Sequence, residues 1–142
     1  MTARHLRSYI PCLFCYSKCV HRETGVVRAV KIVSQAHRDV HSEVQCLKLC
    51  QGHPNVVRLI DYFVDGAYAY IVLELLSGGE LLERIRQHKS FSEAEASRIM
   101  RSVVSAVHFM HSQGVVHRDL KPEVRVVHLN HQSILYERRE AD

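Results

Sequence analysis

At 142 residues, 46% of them hydrophobic and 24% charged, the chain has the size and apolar content of one domain with an adequate core. Its formal net charge of +4 is spread among interspersed Lys, Arg, Asp and Glu, which argues against nucleic acid as a partner. No apolar run reaches the ~20 residues of a membrane span, so a membrane is not an expected partner either.

The N-terminal stretch contains no acidic residue before Glu23. Within it "YIPCLFCY", residues 9–16, follows Arg4 and Arg7 in the outline of a signal peptide. It is short and lacks a small-residue cleavage site, so an irregular N-terminus is expected rather than a secretory or mitochondrial leader. The five cysteines are odd in number and fall in two local groups, which fits reduced thiols in a cytoplasmic or nuclear protein. Cys12, Cys15, Cys19 and His21 could supply four soft ligands. Structural zinc sites, however, draw ligand pairs from two separated turns, and no metal site is assigned. Cys46 and Cys50, one helical turn apart, are read as buried small hydrophobes.

The β-branched content of residues 15–20 and 26–33, Val20 in the first and four valines with Ile32 in the second, suggests two strands, and "HRETG" between them ends on Gly25, so a hairpin is expected. Over residues 38–50, Val40, Val44 and Leu47 recur at helical spacing until Gly52 and Pro54 stop the pattern. Strands follow at 56–63 and 67–73, flanking Asp65-Gly66, a strong hairpin signal. After "SGGE", residues 77–80, the pattern turns helical with Leu81, Leu82 and Ile85. The longest helix opens on Ser92 and Glu95 in capping-box spacing and runs to Gly114. Its Ile99, Met100, Val103, Val104, Ala106, Val107 and Met110 cover an arc of roughly 160°, wide enough to want partners on more than one side. A β-rich half followed by a helical half indicates an α+β fold with a boundary at residues 76–79. A short strand is expected at 124–129.

Several of these segments together resemble the protein-kinase family. "VVRAVKIV" resembles the strand bearing the ATP-contacting lysine, "HPNVVRLIDYF" and "YIVLELLSGGEL" the following strands and hinge, and "VVHRDLKPE" the catalytic loop. "LKLCQGHPNVV", "SGGELLERI" and "SEAEASRIMRSVVSAV" are most similar to the C-terminal kinase domain of the mitogen- and stress-activated kinases, in the calmodulin-dependent-kinase-like group. The resemblance covers residues 19–123 and implies a small lobe of antiparallel sheet plus one helix, then an incomplete helical large lobe. The segments would be a divergent 1–14, a small lobe at 15–76, the hinge and start of the large lobe at 77–123, and a divergent tail at 124–142.

The resemblance implies roles for individual residues. Lys31 would reach the α- and β-phosphates of ATP, held by an ion pair with Glu43 on the next helix. Residues 74–76, from Glu74 to Leu76, would offer hinge backbone groups to adenine, and Glu80 would bind the ribose. Asp119 would accept the proton of the substrate hydroxyl, and Lys121, two residues on, would stabilise the transferred phosphoryl group, as in the serine/threonine class. His117 and Arg118 would be architectural.

Three departures from the family pattern bear on activity. The glycine-rich loop should occupy residues 9–14, but "YIPCLF" has no glycine. Val124 stands where the family has a magnesium-binding Asn, and no Asp-Phe-Gly follows it up to Asp142. The resemblance implies ATP and Mg²⁺, yet the missing ligands count against Mg²⁺ binding here. The expectation is therefore a serine/threonine kinase domain truncated at both ends, with little or no activity of its own. Its partners would be a protein substrate or a partner kinase, with association also open through the apolar face of the long helix. The competing reading is a non-catalytic kinase-like interaction module, or a truncated competitor of a full-length kinase. A zinc module on the N-terminal cysteines ranks last.

Overall fold

Alternating β-branched residues and two glycine turns build a four-stranded antiparallel sheet in this chain. The computed structural model describes residues 16–35, 40–77, 86–87, 92–118 and 120. Two compact units emerge in place of a single core, Met1–Lys48 with Arg58–Leu75 and Leu49–Val57 with Leu76–Asp142.

The first unit contains β1 (Tyr16–Val20), β2 (Val27–Ser34), α1 (Val40–Leu49), β3 (Leu59–Asp65) and β4 (Tyr68–Leu73), with strand order β1-β2-β4-β3. Both expected hairpins form. In the first, Gly25 takes φ +70 and donates its N–H to the His21 carbonyl, while the His21 N–H bonds back to Val26. In the second, Asp65 still pairs with Tyr68, so the two-residue loop is Gly66-Ala67 rather than Asp65-Gly66. Gly66 at φ +60 fills the first loop position, where a positive φ suits glycine.

Strand β3 starts later than the sequence pattern places it. Val56 and Val57 are buried, but they group with the second unit, and the Val56 N–H closes a turn onto His53. An apolar β-branched run was thus divided between a packed turn and a strand, a distinction that period-two counting does not make. The expected helix start at residue 38 lies outside the described residues, as do residues 81–85 and the expected strand at 124–129.

Register sorts the side chains of the sheet into two faces. One bears Ala29, Lys31 and Val33 opposite Leu73, Ile71 and Ala69. Helix α1 turns Val40, Glu43, Val44 and Leu47 inward, and Glu43 meets Lys31 on this face. The other face gathers Cys19, Val30 and Val72, with Ile32, Phe63 and Tyr70 against them. The Phe63 and Tyr70 rings stack 4.9 Å apart, 10° from parallel.

In the second unit the long helix, α2, is Glu93–Ser112. Ser92 caps it: the Glu95 N–H donates to Ser92 Oγ, and Ser92's own N–H donates to the Glu95 carboxylate at 3.0 Å. At the far end Val115 N–H reaches the Met110 carbonyl and Gly114 N–H the His111 carbonyl, each at 2.9 Å, a Schellman closure with Gly114 at φ +72. Of the wide apolar arc, Ala106 and Met110 are buried and Ile99, Val103 and Val107 partly so, while Met100 and Val104 face outward. The turn at 50–57 is held to α2 by His53, whose ring stacks on Phe109 at 5.0 Å and whose Nε2 lies 3.1 Å from Ser105 Oγ. No helix among the described residues is long and apolar enough to cross a membrane.

Candidate functional site

Lys31 sits in the middle of β2, flanked in register by Tyr16 of β1 and Ile71 of β4. It is 3% exposed, as is Glu43, and an ionised lysine so placed requires an anion beside it. Helix α1 supplies that anion because Glu43 shares the inward stripe of Val40, Val44 and Leu47. Glu43 also lies in the first turn of α1, where the helix macrodipole favours negative charge. Lys31 Nζ donates to Glu43 Oε1 at 2.8 Å, a charge-assisted bond. The bond fixes the ammonium as a cation of defined position, a kind of group suited to phosphate oxygens.

The chain leaving β4 is held by Glu74. Its N–H donates to the Arg58 carbonyl at 3.0 Å, and its carboxylate accepts the Arg58 N–H at 2.8 Å. Two bonds to one residue's backbone hold Glu74, and Leu76, two residues on, is buried. Beyond α2, Val115 and His117 are buried while Val116 and Arg118 are exposed. Arg118 adopts φ +63, the one positive φ outside glycine among the described residues. Left-handed backbone at a non-glycine residue costs roughly 1–2 kcal/mol and collects where a loop has a task. The turn stands directly before Asp119. Asp119, Lys121 and Glu80 themselves lie outside the described residues.

A family model for the protein kinase domain matches residues 15–134. The chain belongs to the protein kinase domain family. Its relatives include mouse and human ribosomal protein S6 kinase alpha-4, each 56% identical over 108 residues, 75% of this chain and 14% of the relative. Chicken ribosomal protein S6 kinase 2 alpha is 46% identical over 105 residues, again 14% of its length. The chain thus spans a small part of the relatives it matches. The crystal structure of Rad53 1-466 in complex with AMP-PNP superposes with a TM-score of 0.77 at 29% identity, covering 89% of this chain and 35% of that one. The sheet β1–β4 with α1 is a kinase small lobe, as the motifs implied, and α2 belongs to an incomplete helical large lobe.

Among the described residues of this kinase domain, no group of three or more His, Cys, Asp or Glu side chains could hold a metal ion. Cys12 and Cys15 lie outside them, Cys19 is buried in the sheet with its thiol pushed above 9.0 by desolvation, and His21 accepts the Thr24 N–H. Sequence reading missed the clasp of Glu74 on Arg58 and the anchoring of the 50–57 turn by His53. Its Nδ1 accepts the Asn55 N–H at 3.1 Å, and burial holds the imidazole below its ordinary 6.5. The His-Pro-Asn lettering was visible, but its partners Ser105 and Phe109 are some fifty positions away, beyond any local pattern.

Proposed function

We propose that this kinase domain binds ATP through Lys31 and transfers its phosphoryl group to protein hydroxyls at a very low rate at most. The observation that carries the reading is the buried 2.8 Å Lys31–Glu43 pair, a cation held where a phosphate would need it. Backbone groups of residues 74–76 would meet adenine, Glu80 the ribose, and Asp119 with Lys121 the acceptor hydroxyl and the moving phosphoryl group. The segment division at 14, 76 and 123 belongs to the same proposal. So does a cytoplasmic or nuclear location, where Cys19, Cys46 and Cys50 would persist as free thiols.

The residues present do not fit a Mg²⁺ site. Val124 has no oxygen to offer from its side chain, and residues 125–142 contain no Asp-Phe-Gly. Transfer therefore has to rely on Lys31, Lys121 and positioning, with much of the charge between the β- and γ-phosphates left unbalanced. The same absences, with the glycine-free residues 9–14, favour a second reading in which the domain acts as a kinase-like interaction module or competitor. An ATP titration with and without Mg²⁺ and a phosphoryl-transfer assay, with the double variant Lys31→Met and Glu43→Leu as control, test both. Binding that is indifferent to Mg²⁺ and lost in the double variant supports the first reading. Absence of binding under all conditions overturns it in favour of the second, and turnover at the ~1–100 s⁻¹ usual for kinases overturns the low rate.

A further inference from the structure

One side of α2 carries a stripe that neither nucleotide nor core uses. Glu93, Ser97, Met100, Val104, His108 and His111 recur every three or four residues and, at 100° per residue, fall within an arc of about 80°. All six are exposed, Met100 at 55% and Val104 at 58%, on the side away from the buried Ala106 and Met110. The acidic groups of the helix, Glu93 and Glu95, are confined to the first turn, and from Ala96 to Ser112 there is no carboxylate. His111 supplies the basic group of the last turn.

Such a stripe is complementary to itself when reversed. Turned end for end about a two-fold axis at Ser102, Met100 lies on Val104 of a second copy, Ser97 on its His108, and Glu93 on its His111. The imidazole N–H donates to a carboxylate in either protonation state of the ring, so the outer pairs do not require acid. Antiparallel helices also bring each positive N-terminus beside a negative C-terminus. Arg101, beside the axis, meets Arg101 and Ser105 of the other copy, a like-charge approach that opposes the pairing.

We propose that α2 docks a second copy of this chain, antiparallel, through Glu93, Met100, Val104, His108 and His111. A single helical stripe of roughly 27 Å is smaller than a standard interface of ~1,200–2,000 Å², so the dimer is weak and concentration-dependent. The inference is independent of nucleotide binding.

Sedimentation velocity of the full chain from micromolar to millimolar concentration, with circular dichroism as a check on helix content, tests it. The wild type should pass from monomer to dimer, and Met100→Glu with Val104→Glu should abolish the dimer. Glu93→Lys and His111→Glu should each weaken it by roughly fivefold, and their combination should return it to within about twofold of wild type. Arg101→Ser should tighten it. The charge-swapped pair opposes the helix macrodipole at both ends, so its recovery could not come from a better helix. A chain that stays monomeric throughout, association indifferent to Met100→Glu with Val104→Glu, or a double charge swap no better than either single change would overturn the proposal.

Discussion

Replacing Glu43 by leucine should destabilise the small lobe by about 3–5 kcal/mol, the cost of leaving a buried ion without its partner. The magnitude follows from the geometry. The Lys31 and Glu43 side chains are each 4% exposed and their charged atoms are 2.8 Å apart. At an effective dielectric constant of ~20, unit charges at that separation attract by about 6 kcal/mol, most of which offsets the desolvation of both groups. Removing one partner forfeits the attraction while the cost of burying the other remains. Removing both, as in Lys31→Met with Glu43→Leu, also removes that cost, and the double variant should match the wild type or exceed it by about 1–4 kcal/mol. Urea denaturation of the four proteins gives the coupling energy, and amide exchange in β2 and α1 localises it. The double variant should lose nucleotide affinity while keeping its fold, which separates the two roles of the pair. A loss below about 1 kcal/mol for Glu43→Leu, with coupling near zero, is the behaviour of a surface salt bridge and would refute the argument.

Further outcomes are expected at other positions. Because burial lowers the imidazole pKa of His53 in the folded chain, the native state resists a proton that the unfolded chain accepts. Its contribution to stability should be complete above 6.5 and fall as the pH drops below that value; His53→Phe, which keeps the ring stack, should remove this part of the slope in urea midpoints. Among the described cysteines, alkylation followed by mass spectrometry should label the partly exposed Cys46 well before the buried Cys19 and Cys50, Cys19 being further protected by its raised thiol pKa. In thermal melts of α2, Ser92→Ala should cost about 1 kcal/mol through the lost cap. Gly114→Ala should cost ~1–2 kcal/mol through its φ of +72 alone, since an added Cβ would meet nothing within 4 Å. Arg118→Gly should stabilise by up to about 1 kcal/mol in urea, the ~1–2 kcal/mol of relieved strain exceeding glycine's extra chain entropy of ~0.5–1.

What could be read from the sequence was what local chemistry decides. Gly25 and Gly66 mark both hairpins, and Ser92, Glu95 and Gly114 frame α2 to within two residues, because turns and caps depend on side chains adjacent in the chain. The boundary of β3 was misplaced because Val56 and Val57 are as β-branched as the strand after them yet pack elsewhere. On α2 the apolar arc was found, but its core-facing part was not, since Met100 and Val104 differ from Ile99 and Val103 only in what the fold sets against them. Lys31 is the instructive case at the site. On periodicity alone a lysine in an alternating strand reads as a solvent-facing residue, and only the kinase-like wording around it directed attention to Glu43 twelve residues on. The anchors made by His53 and Glu74 had no local signal, because each is defined by a distant partner.

The Lys31–Glu43 pair serves the packing of the small lobe and, under the proposed reading, nucleotide binding as well, and the two uses have different requirements. Glu43 is buried beside Val40, Val44 and Leu47, so the small lobe needs the Lys31 ammonium as a counter-ion whether or not any nucleotide is present. Val124, in contrast, has no side-chain oxygen to offer a metal ion, and residues 125–142 contain no Asp-Phe-Gly. Under the proposed reading the small lobe keeps its cation for the sake of its own core, whether or not oxygen ligands accompany it. Under the proposed reading Lys31 makes binding possible and leaves most of the barrier to transfer standing. The measurement that divides these possibilities is affinity set against turnover: under that reading a chain that holds ATP through Lys31 should lose that affinity in the folded double variant Lys31→Met with Glu43→Leu, with no comparable change in a transfer rate already close to zero.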